Sequence, residues 1–508
     1  MKNKGYIDMR KGIEAVLITA LLFAFYYFGM HYFGKTTGTV IGIFSTLTVV
    51  SIGFMIFMEN RHPSSTMAWI LLLALVPIVG LVFYFLFGQN YFKRRKYDKK
   101  ARKDGLVYTS EVLRKNTPDV SSFKPEVQQL LQLSTRLART PISFSSDTKV
   151  LTDGEETFAA LIAELEQAAH HIHMEYYIYR PDAIGTQIQE ILIRKARQGI
   201  AVRFMVDAVG SLQLPPSFLQ EMRDAGVQVA VFGSPKTIFF TSRVNYRNHR
   251  KIVVIDGSVG FVGGLNVGDE YLSRSKAFGF WRDTHMLVRG EAVRTLQVVF
   301  LQDWQYMTGE QPNEPIYYSP DLLENRSGAV QIIASGPDNE RRALKNIFFS
   351  MIVSARKSVW LATPYFIPDE DILTALRVAA LSGLDVRILF PSKPDKWLPF
   401  LASHSYFPAL LDVGARVYEY EKGFMHSKLL IVDGEVATIG TANMDMRSFH
   451  LNFEVNALLV HTDSVNKLVS DFEHDLESAI VYDRHHTRKK RIMTRLLESA
   501  ARLMSPLL

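Results

Sequence analysis

The stretch Asn248–Asp256, which reads Asn-His-Arg-Lys-Ile-Val-Val-Ile-Asp, decides how this chain is organised. It opens a pattern, H-x-K-x4-D-x6-G-[G/T]-x-N, that runs from His249 to Asn266. The pattern returns from His426 to Asn443 with no insertion or deletion. Two matched copies predict a duplicated chain with two domains that act together, and a single repeat of this length is not a solenoid.

Helix and strand patterns alternate ahead of both copies. Helical periodicity and short apolar runs follow one another from residue 155 to residue 232, and again from residue 340 to residue 420. The last strands are predicted at Gln228–Phe232 and Arg416–Tyr420, just before the motifs. This alternation predicts an α/β fold with two tandem domains, each a mixed β-sheet flanked by helices.

Each motif is predicted to form a strand that ends in a tight hairpin. Period-two alternation puts His249 and Lys251 on one face of the first strand, and His426 and Lys428 on one face of the second. The dipeptide Asp-Gly that closes each strand is a strong signal for a two-residue turn. The hairpin then carries the motif asparagines back toward the histidines.

The motif residues suit chemistry on a phosphodiester. Lys and the asparagines Asn266 and Asn443 are predicted to bind its oxygens, while a neutral imidazole attacks phosphorus. The second His, when protonated, donates to the leaving oxygen, so the mechanism requires no metal and no other cofactor. Asp256 and Asp433 complete the catalytic motif, but their opposite strand parity and their place at the turn favour a structural role.

Composition narrows the class of protein. The chain has 508 residues, enough for two or three domains, and it has no cysteine, which excludes disulfides and thiol chemistry. The net charge of +7 is concentrated in two basic clusters, at 93–103 and 488–491. Such clusters indicate an anionic membrane surface or nucleic acid, and the lack of stacking aromatics among them argues against nucleic acid.

Three long apolar stretches lie near the N-terminus: Ile13–Phe33, Val40–Met58 and Met67–Phe87. Each approaches the roughly 20 residues that cross a bilayer core, and together they predict a multi-pass anchor in the cell membrane. Eight basic residues follow the third stretch, against four before the first. The positive-inside rule therefore predicts that the catalytic domains are cytoplasmic. If the first stretch lies flat or re-enters, both basic ends are on the cytoplasmic side.

The doubled motif is similar to that of the phospholipase D superfamily, and within it the chain resembles the bacterial cardiolipin synthases. The resemblance extends from about Val49 onward, and only the stretch Ile13–Phe33 is additional to the family pattern. The segments that carry the finer match are Glu59–Arg61 with Pro63–Thr66 and Trp69, Phe87–Asn90, Asn245–Lys251, Trp281–His285, Ala442–Ser448, Asn452–Glu454 and Ser505–Leu508.

The resemblance implies a reaction and its participants. Two phosphatidylglycerol molecules would exchange a phosphatidyl group through a phosphohistidine, giving cardiolipin and glycerol in a site shared by both halves. His249 would attack and His426 would act as acid and then base, although the near symmetry of the motifs leaves that assignment open. Asp283 and Glu454, which follow the motifs at comparable distance, would orient the imidazoles; the alternative is that they form structural salt bridges.

The predicted boundaries follow from these patterns. They are a transmembrane anchor of two or three helices over 1–92, a basic connector over 93–144, phospholipase D-like domains over 145–325 and 326–483, and a basic amphipathic helix over 484–508. That last helix either lies on anionic lipid or packs on the catalytic domains. The apolar loop at Ile238–Phe240 is either a lid, a membrane-dipping element or a packed loop.

Other functions remain as alternatives. A membrane phospholipase D would pass the phosphatidyl group to water and give phosphatidic acid, a nuclease would share the phosphodiester chemistry, and a non-catalytic membrane-tethered interaction protein would carry damaged motifs. Every position of both motifs is intact here. His170, His171 and His173 suggest a metal site only weakly, because neighbouring side chains on a strand point to opposite faces.

Overall fold

The computed structural model describes residues 46, 50–54, 56–58, 63–75, 80, 84, 100, 119–233, 246–321, 323, 327–339, 341–483, 490 and 492–507. The apolar stretch Ile13–Phe33, the basic residues 93–96 and 488–489, and the loop Ile238–Phe240 lie outside the described residues. The chain divides into an N-terminal unit within residues 1–95 and a larger unit that holds residues 96–238 and 243–508.

The N-terminal unit contains one described helix of more than a few residues, α1 (Pro63–Leu75), which begins before the third apolar stretch and continues into it. Leu73 of this helix packs with Ile52, Ile56 and Tyr84, and the ring of Trp69 stands edge-on to Tyr84 at 5.5 Å. Within the parts of the chain that the structure describes, no helix combines the length and the apolar character needed to cross a bilayer.

The larger unit is built from helices and strands in alternation. Its helices are α2 (Pro125–Ala138), α3 (Gly154–Gln167), α4 (Ala183–Arg197), α5 (Pro216–Asp224), α6 (Ala292–Thr308), α7 (Ala343–Ser354), α8 (Glu370–Leu381), α9 (Trp397–His404), α10 (Phe407–Leu411), α11 (Met446–His450), α12 (Asp463–Glu477) and α13 (Ile492–Leu503). Its strands are β1 (Ser146–Asp153), β2 (His171–Tyr176), β3 (Ala201–Asp207), β4 (Gln228–Phe232), β5 (Ile252–Ile255), β6 (Val259–Gly263), β7 (Phe280–Gly290), β8 (Ala329–Ser335), β9 (Ser358–Ala362), β10 (Phe366–Ile367), β11 (Asp385–Pro391), β12 (Arg416–Tyr420), β13 (Gly423–Met425), β14 (Leu429–Val432), β15 (Val436–Gly440), β16 (Met444–Asp445), β17 (Glu454–Val460) and β18 (Ala479–Tyr482).

The two sheets repeat one topology. The first runs β1-β7-β6-β5-β2-β3-β4, and the second runs β8-β17-β15-β14-β9-β11-β12 with β18 added at its edge. In each sheet the three strands that precede the motif in sequence are parallel to one another, and the motif hairpin pairs antiparallel with the first of them. The predicted α/β fold with two tandem domains of mixed sheet is confirmed.

Both motif hairpins turn at the predicted Asp-Gly. Asp256 and Gly257 have φ of 53° and 68°, and Asp433 and Gly434 have φ of 57° and 68°, so both central positions of each turn are left-handed. The last paired residues, Ile255 with Val259 and Val432 with Val436, enclose three residues in each hairpin. The motif strands are shorter than predicted, because β5 begins at Ile252 rather than at the histidine. The preceding residues pair with the opposite half instead.

A hydrophobic cluster joins the two halves. It contains Val299 and Phe300 of α6 together with Ile439, Val455 and Phe472 of the second half. Helix α2, in the predicted connector, belongs to the outer core of the second half. Since the two sheets face each other through this cluster, the ends of the two motif strands are brought to one interface.

Candidate active site

His249 is positioned by backbone pairing between the two halves. Its N–H donates to Phe453 O over 2.9 Å, while Phe453 N–H donates to Arg247 O over 2.9 Å, so Asn248 and Phe453 form a parallel bridge. The bridge brings the next residue, Glu454, to the imidazole. His249 Nδ1 lies 2.9 Å from Glu454 Oε2.

His426 is positioned in the same way, with the roles of the two halves reversed. Strand β13, just before it, runs parallel to the start of β7, and His426 N–H donates to Arg282 O over 2.7 Å. Asp283, the next residue of β7, then lies with Oδ2 2.6 Å from His426 Nδ1. Each imidazole is therefore held by a carboxylate of the other half, and neither half contains a complete site.

The two carboxylates, Asp283 and Glu454, are fully buried. Burial alone would raise their pKa, but the histidine and lysine beside each carboxylate outweigh it and hold the pKa of both groups below the usual range. As anions they accept a hydrogen bond from Nδ1–H, an arrangement that leaves the lone pair on Nε2 of each imidazole. This is the tautomer that nucleophilic attack or proton abstraction requires.

Burial also controls the charge of the imidazoles. It lowers the pKa of His249 and of His426 to about 4, against the opposing effect of the paired carboxylates. The motif lysines lower the pKa of both further. Both imidazoles are thus neutral at pH 7 until an anion binds beside them, and an anionic substrate raises their proton affinity.

Lys251 and Lys428 are buried beside the histidines. Lys251 Nζ donates to His249 O over 2.7 Å, and Lys428 Nζ donates to His426 O. Burial lowers the pKa of Lys251 to about 7 and that of Lys428 to about 8. A phosphodiester placed between the two ammonium groups favours their charged forms, so the site gains its full positive charge as the substrate enters.

One motif position differs between the halves: it is Gly264 in the first and Thr441 in the second. The carboxylate beside each residue explains the difference. A Cβ at Gly264 would lie 2.0 Å from Asp283 Oδ1, so a larger residue cannot fit without displacing that carboxylate. In the second half, the Thr441 hydroxyl donates to Glu454, and Asn452 Nδ2 donates to the same carboxylate over 3.1 Å.

The motif asparagines are buried and make contacts within the protein. Asn266 Oδ1 accepts from Ile178 N–H over 3.0 Å, and its Nδ2 donates to the Tyr271 hydroxyl over 3.3 Å. Asn443 Oδ1 is buried with no hydrogen-bond partner among the described residues. Of the two, Asn443 therefore has the amide oxygen that is open to a ligand's donor, and a role for either in substrate binding stays a prediction.

Asp256 and Asp433 lie at the other end of their strands from the histidines. Each carboxylate accepts hydrogen bonds of 2.7 to 3.1 Å from three successive backbone N–H groups. The donors belong to Ala169, His170 and His171 in the first half and to Arg356, Lys357 and Ser358 in the second. This geometry supports a structural role at the starts of β2 and β9 rather than a catalytic one.

Two buried arginines that sequence reasoning did not select also hold the site. Arg250, the variable residue of the first motif, binds Asp303 of α6 and donates through Nε to Glu454 O over 3.2 Å. Arg282 binds Asp475 of α12 at 2.8 Å and donates to Asp283 O over 2.7 Å. Each arginine thus links the backbone of one of the two carboxylates to a helix. In the sequence, Arg250 lies between His249 and Lys251 and Arg282 precedes Asp283, and these positions were the signal that could have identified them.

Tyr177 is a further side chain at the first histidine. Its ring stands edge-on to His249 with 4.9 Å between the centroids, and Lys251 Nζ lies 5.4 Å from its centroid. Burial raises the pKa of its hydroxyl, and the nearby Arg247 and Arg447 oppose that rise. The two arginines add positive charge on this side of the site, and both flank motif residues in the sequence.

Among the described residues, no three His, Asp or Glu side chains are grouped so as to hold a metal ion. His171 and His173 of β2 are instead buried neighbours that share Gln297 Oε1, at 3.1 Å each. Arg203 Nη1 lies 2.9 Å from His173 Nε2. Their environment is a closed polar network on the sheet face that packs against α6.

Paired imidazoles, each with a free Nε2 and a lysine beside it, can attack a phosphodiester and protonate its leaving group from the opposite side. Together with the duplicated α/β fold, this site defines an enzyme of the phospholipase D class.

Comparisons with known proteins give the family within that class. The model described as "Cardiolipin synthase, PLD-like domain" matches residues 161–304 and 348–476, and the one described as "Phospholipase_D-nuclease N-terminal" matches residues 46–89. The cardiolipin synthase of Geobacillus kaustophilus is 54% identical over 484 residues, covering 94% of this chain and 96% of its own. That of Alkalihalophilus pseudofirmus is 53% identical over 503 residues, covering 98% and 100%. The chain belongs to the cardiolipin synthase family, which confirms the resemblance.

A solved structure supports the fold independently. The phosphatidylserine synthase of Haemophilus influenzae superimposes with a TM-score of 0.58 at 15% identity, over 75% of this chain and all of that one. At this identity the likeness concerns the fold alone.

Proposed function

We propose that this enzyme transfers a phosphatidyl group reversibly between two phosphatidylglycerol molecules, giving cardiolipin and glycerol through a phosphatidyl-histidine. The observation that carries the proposal is the reciprocal pairing of His249 with Glu454 and of His426 with Asp283. It provides two activated imidazoles in one interface, as a two-step transfer requires. The family relatives named cardiolipin synthase support the choice of reaction.

In the first step, His249 Nε2 attacks the phosphorus of one phosphatidylglycerol. A P–N bond forms, the P–O bond to the headgroup glycerol breaks, and His426 gives its proton to the departing oxygen. Lys251 and Lys428 stabilise the charge on the non-bridging oxygens. The acid role requires His426 to be protonated, and the bound phosphodiester supplies the negative charge that favours this state.

In the second step, His426 acts as the base. It takes the proton from the headgroup hydroxyl of a second phosphatidylglycerol, whose oxygen attacks phosphorus and breaks the P–N bond. Cardiolipin leaves and both histidines return to their starting state. Because the two steps are the same reaction with different alcohols, glycerol and cardiolipin reverse them.

We propose that residues 1–92 anchor the enzyme in the cell membrane as a multi-pass segment, that residues 93–144 connect it to domains over 145–325 and 326–483, and that these domains are cytoplasmic. The family match at 46–89 and the three apolar stretches support an anchor. So do the exposed apolar side chains of the N-terminal unit, among them Phe54, Phe57 and Leu71, each more than half exposed. Such surfaces are expected to face lipid.

A product assay tests the acceptor. The purified full-length chain in vesicles of phosphatidylglycerol is expected to release one glycerol for each cardiolipin formed, and His249→Ala to form neither. Phosphatidic acid as the main product would replace the proposal with a hydrolytic phospholipase D. Equal product from wild type and His249→Ala would point to a contaminant and leave the non-catalytic alternative standing.

A further inference from the structure

Helix α13 turns its apolar side away from the protein. Ile492 is 79% exposed and Leu496 is 58% exposed, with Met493 and Leu497 also at least half exposed. The residues that face inward are Ala501 and the charged Glu498, which is only 7% exposed and binds Lys490. An amphipathic helix on a soluble surface has the reverse arrangement, so this outward face requires an apolar covering.

The orientation of α13 is fixed rather than accidental. The Tyr406 hydroxyl lies 2.9 Å from Ser505 Oγ, just beyond the helix. The guanidinium of Arg502 stacks over the ring of Tyr406 with 4.4 Å to the centroid. With the buried pair of Glu498 and Lys490, these contacts hold the inward side by polar and cation–π interactions. The apolar side cannot turn inward without breaking them.

Helix α13 packs beside α9, whose first residues are also apolar and exposed. Trp397, at the start of α9, is 71% exposed, and Leu398 beside it is also exposed. Helix α9 follows β11, a strand parallel to β9, so its start lies at the sheet edge where the catalytic histidines lie. Asp395 in the connecting loop accepts the hydroxyl hydrogen bond of Tyr365, and its charge raises the pKa of His426 against burial, which lowers it.

We propose that the outward face of α13, with Trp397 and Leu398 of α9, is an interfacial membrane-binding surface that sets the mouth of the active site on an anionic bilayer. The sequence supplies the matching charge, since residues 484–491 contain five Lys or Arg and two His with no acidic residue. Apolar side chains beside a basic run are the pattern of helices that lie in the headgroup region of anionic lipid. The inference rests on the proposed function only in that the substrate is a bilayer lipid.

The contact can be measured without catalysis, because the chain has no cysteine and a single introduced one takes a label alone. Leu496→Cys carries a nitrobenzoxadiazole (NBD) dye on the proposed surface. Leu381→Cys is the control: it is 68% exposed at the end of α8, which leads into the opposite edge of the same sheet. Both full-length variants are reconstituted in vesicles with phosphatidylglycerol or with phosphatidylcholine alone, with or without lipid bearing a doxyl quencher in its acyl chain.

The label at position 496 is expected to shift to shorter emission wavelength and to be quenched by doxyl lipid. Both effects should be stronger in vesicles with phosphatidylglycerol. The label at position 381 should keep the emission wavelength of the dye in water. A water-like label at 496 in both vesicles would overturn the proposal. Shielding at 496 without doxyl quenching, together with a disulfide between two copies at that cysteine, would overturn it in favour of a second copy of the chain.

An activity measurement adds a second arm. Leu496→Ser with Leu497→Ser is expected to lower kcat/KM on long-chain phosphatidylglycerol in vesicles by about tenfold, because two leucines no longer partition into the interface. The same variant should act normally on short-chain phosphatidylglycerol dissolved as monomers, and Val378→Ser with Leu381→Ser should act normally on both. An equal loss on both substrates would contradict a membrane role. If no variant and no wild type makes cardiolipin, the proposed function fails while the label experiment still decides the surface.

Discussion

At the scale of single residues, the site depends on two carboxylates that lie about 140 to 200 positions from the histidines they serve. Glu454 and Asp283 contact Nδ1 of the two imidazoles from across the interface, and a buried lysine lies beside each pair. Each carboxylate is ionised although it is fully buried, since the neighbouring cations outweigh the cost of desolvation.

Replacing Glu454 by Gln tests this orientation. The amide keeps the size of the side chain but no longer selects the Nδ1–H tautomer of His249, so kcat is expected to fall by roughly 10²- to 10⁴-fold with little change in KM. Steady-state kinetics on phosphatidylglycerol vesicles measure the effect, and Glu454→Asp should recover part of it. A kcat within about twofold of wild type for Glu454→Gln would mean that the hydrogen bond between Glu454 and His249 is merely structural.

Asp256→Asn separates structure from chemistry within the motif. The variant loses an anionic acceptor for three backbone N–H groups, so the free energy of unfolding should fall by about 1–3 kcal/mol and Tm should fall with it. The kcat of the folded enzyme should be unchanged, because β5 separates Asp256 from His249. Asp433→Asn is expected to behave alike, and a large fall in kcat for either at full folding would return the aspartates to the catalytic set.

The buried imidazole of His171 makes the free energy of unfolding depend on pH. Burial lowers its pKa to about 4 from the ordinary value of 6.5, so between these values the unfolded chain binds a proton that the folded chain does not. Its contribution to stability is present above pH 6.5 and is lost as the pH falls toward 4, by about 3 kcal/mol. Thermal unfolding of wild type and His171→Gln from pH 7 to 4 measures it, with the exposed His474→Gln as control. An equal slope for all three chains would contradict this account.

At the scale of elements, local sequence patterns predicted the bounds of strands and turns correctly wherever the element is stabilised within its own half. Strands β4 and β12 begin and end at the residues that the sequence indicated, and both Asp-Gly turns form as predicted. The motif strand begins three residues late because Asn248 pairs with Phe453 of the other half, which no local periodicity encodes. For the same reason Asp283 and Glu454 could be selected from the sequence, but not their exchange between halves.

The pairing of strand β13 with strand β7 brings His426 to Asp283. A Cβ on Gly423 would lie 1.9 Å from Phe280 O, so Gly423→Ala should separate the two strands and lower kcat at least about tenfold by displacing His426. Gly383→Ala is the matched control, since its positive φ makes the substitution destabilising but no atom lies near the added Cβ. It should lower Tm without changing kcat, whereas equal kcat values for the two variants would contradict the role of β13.

At the scale of the whole molecule, duplication explains why the active site lies between domains. Two copies of one α/β unit share a hydrophobic interface, and each supplies the carboxylate that contacts the other copy's histidine. The start of α9 lies at the sheet edge that holds the histidines, and α13 packs beside α9. The sequence indicated an amphipathic C-terminal helix but left open whether its apolar side faces lipid or the catalytic domains, because the pair of Glu498 with Lys490 decides that orientation.

The central claim is that one histidine carries the phosphatidyl group while the other moves the proton. The most direct test is to incubate the full-length chain briefly with phosphatidylglycerol labelled at phosphorus, to quench it in alkaline detergent, and to locate the modified residue by mass spectrometry. We expect at most one phosphatidyl group per chain, attached to His249, and none on His249→Ala. Label incorporated into a chain that lacks His249, or cardiolipin formed without any labelled histidine, would contradict the account.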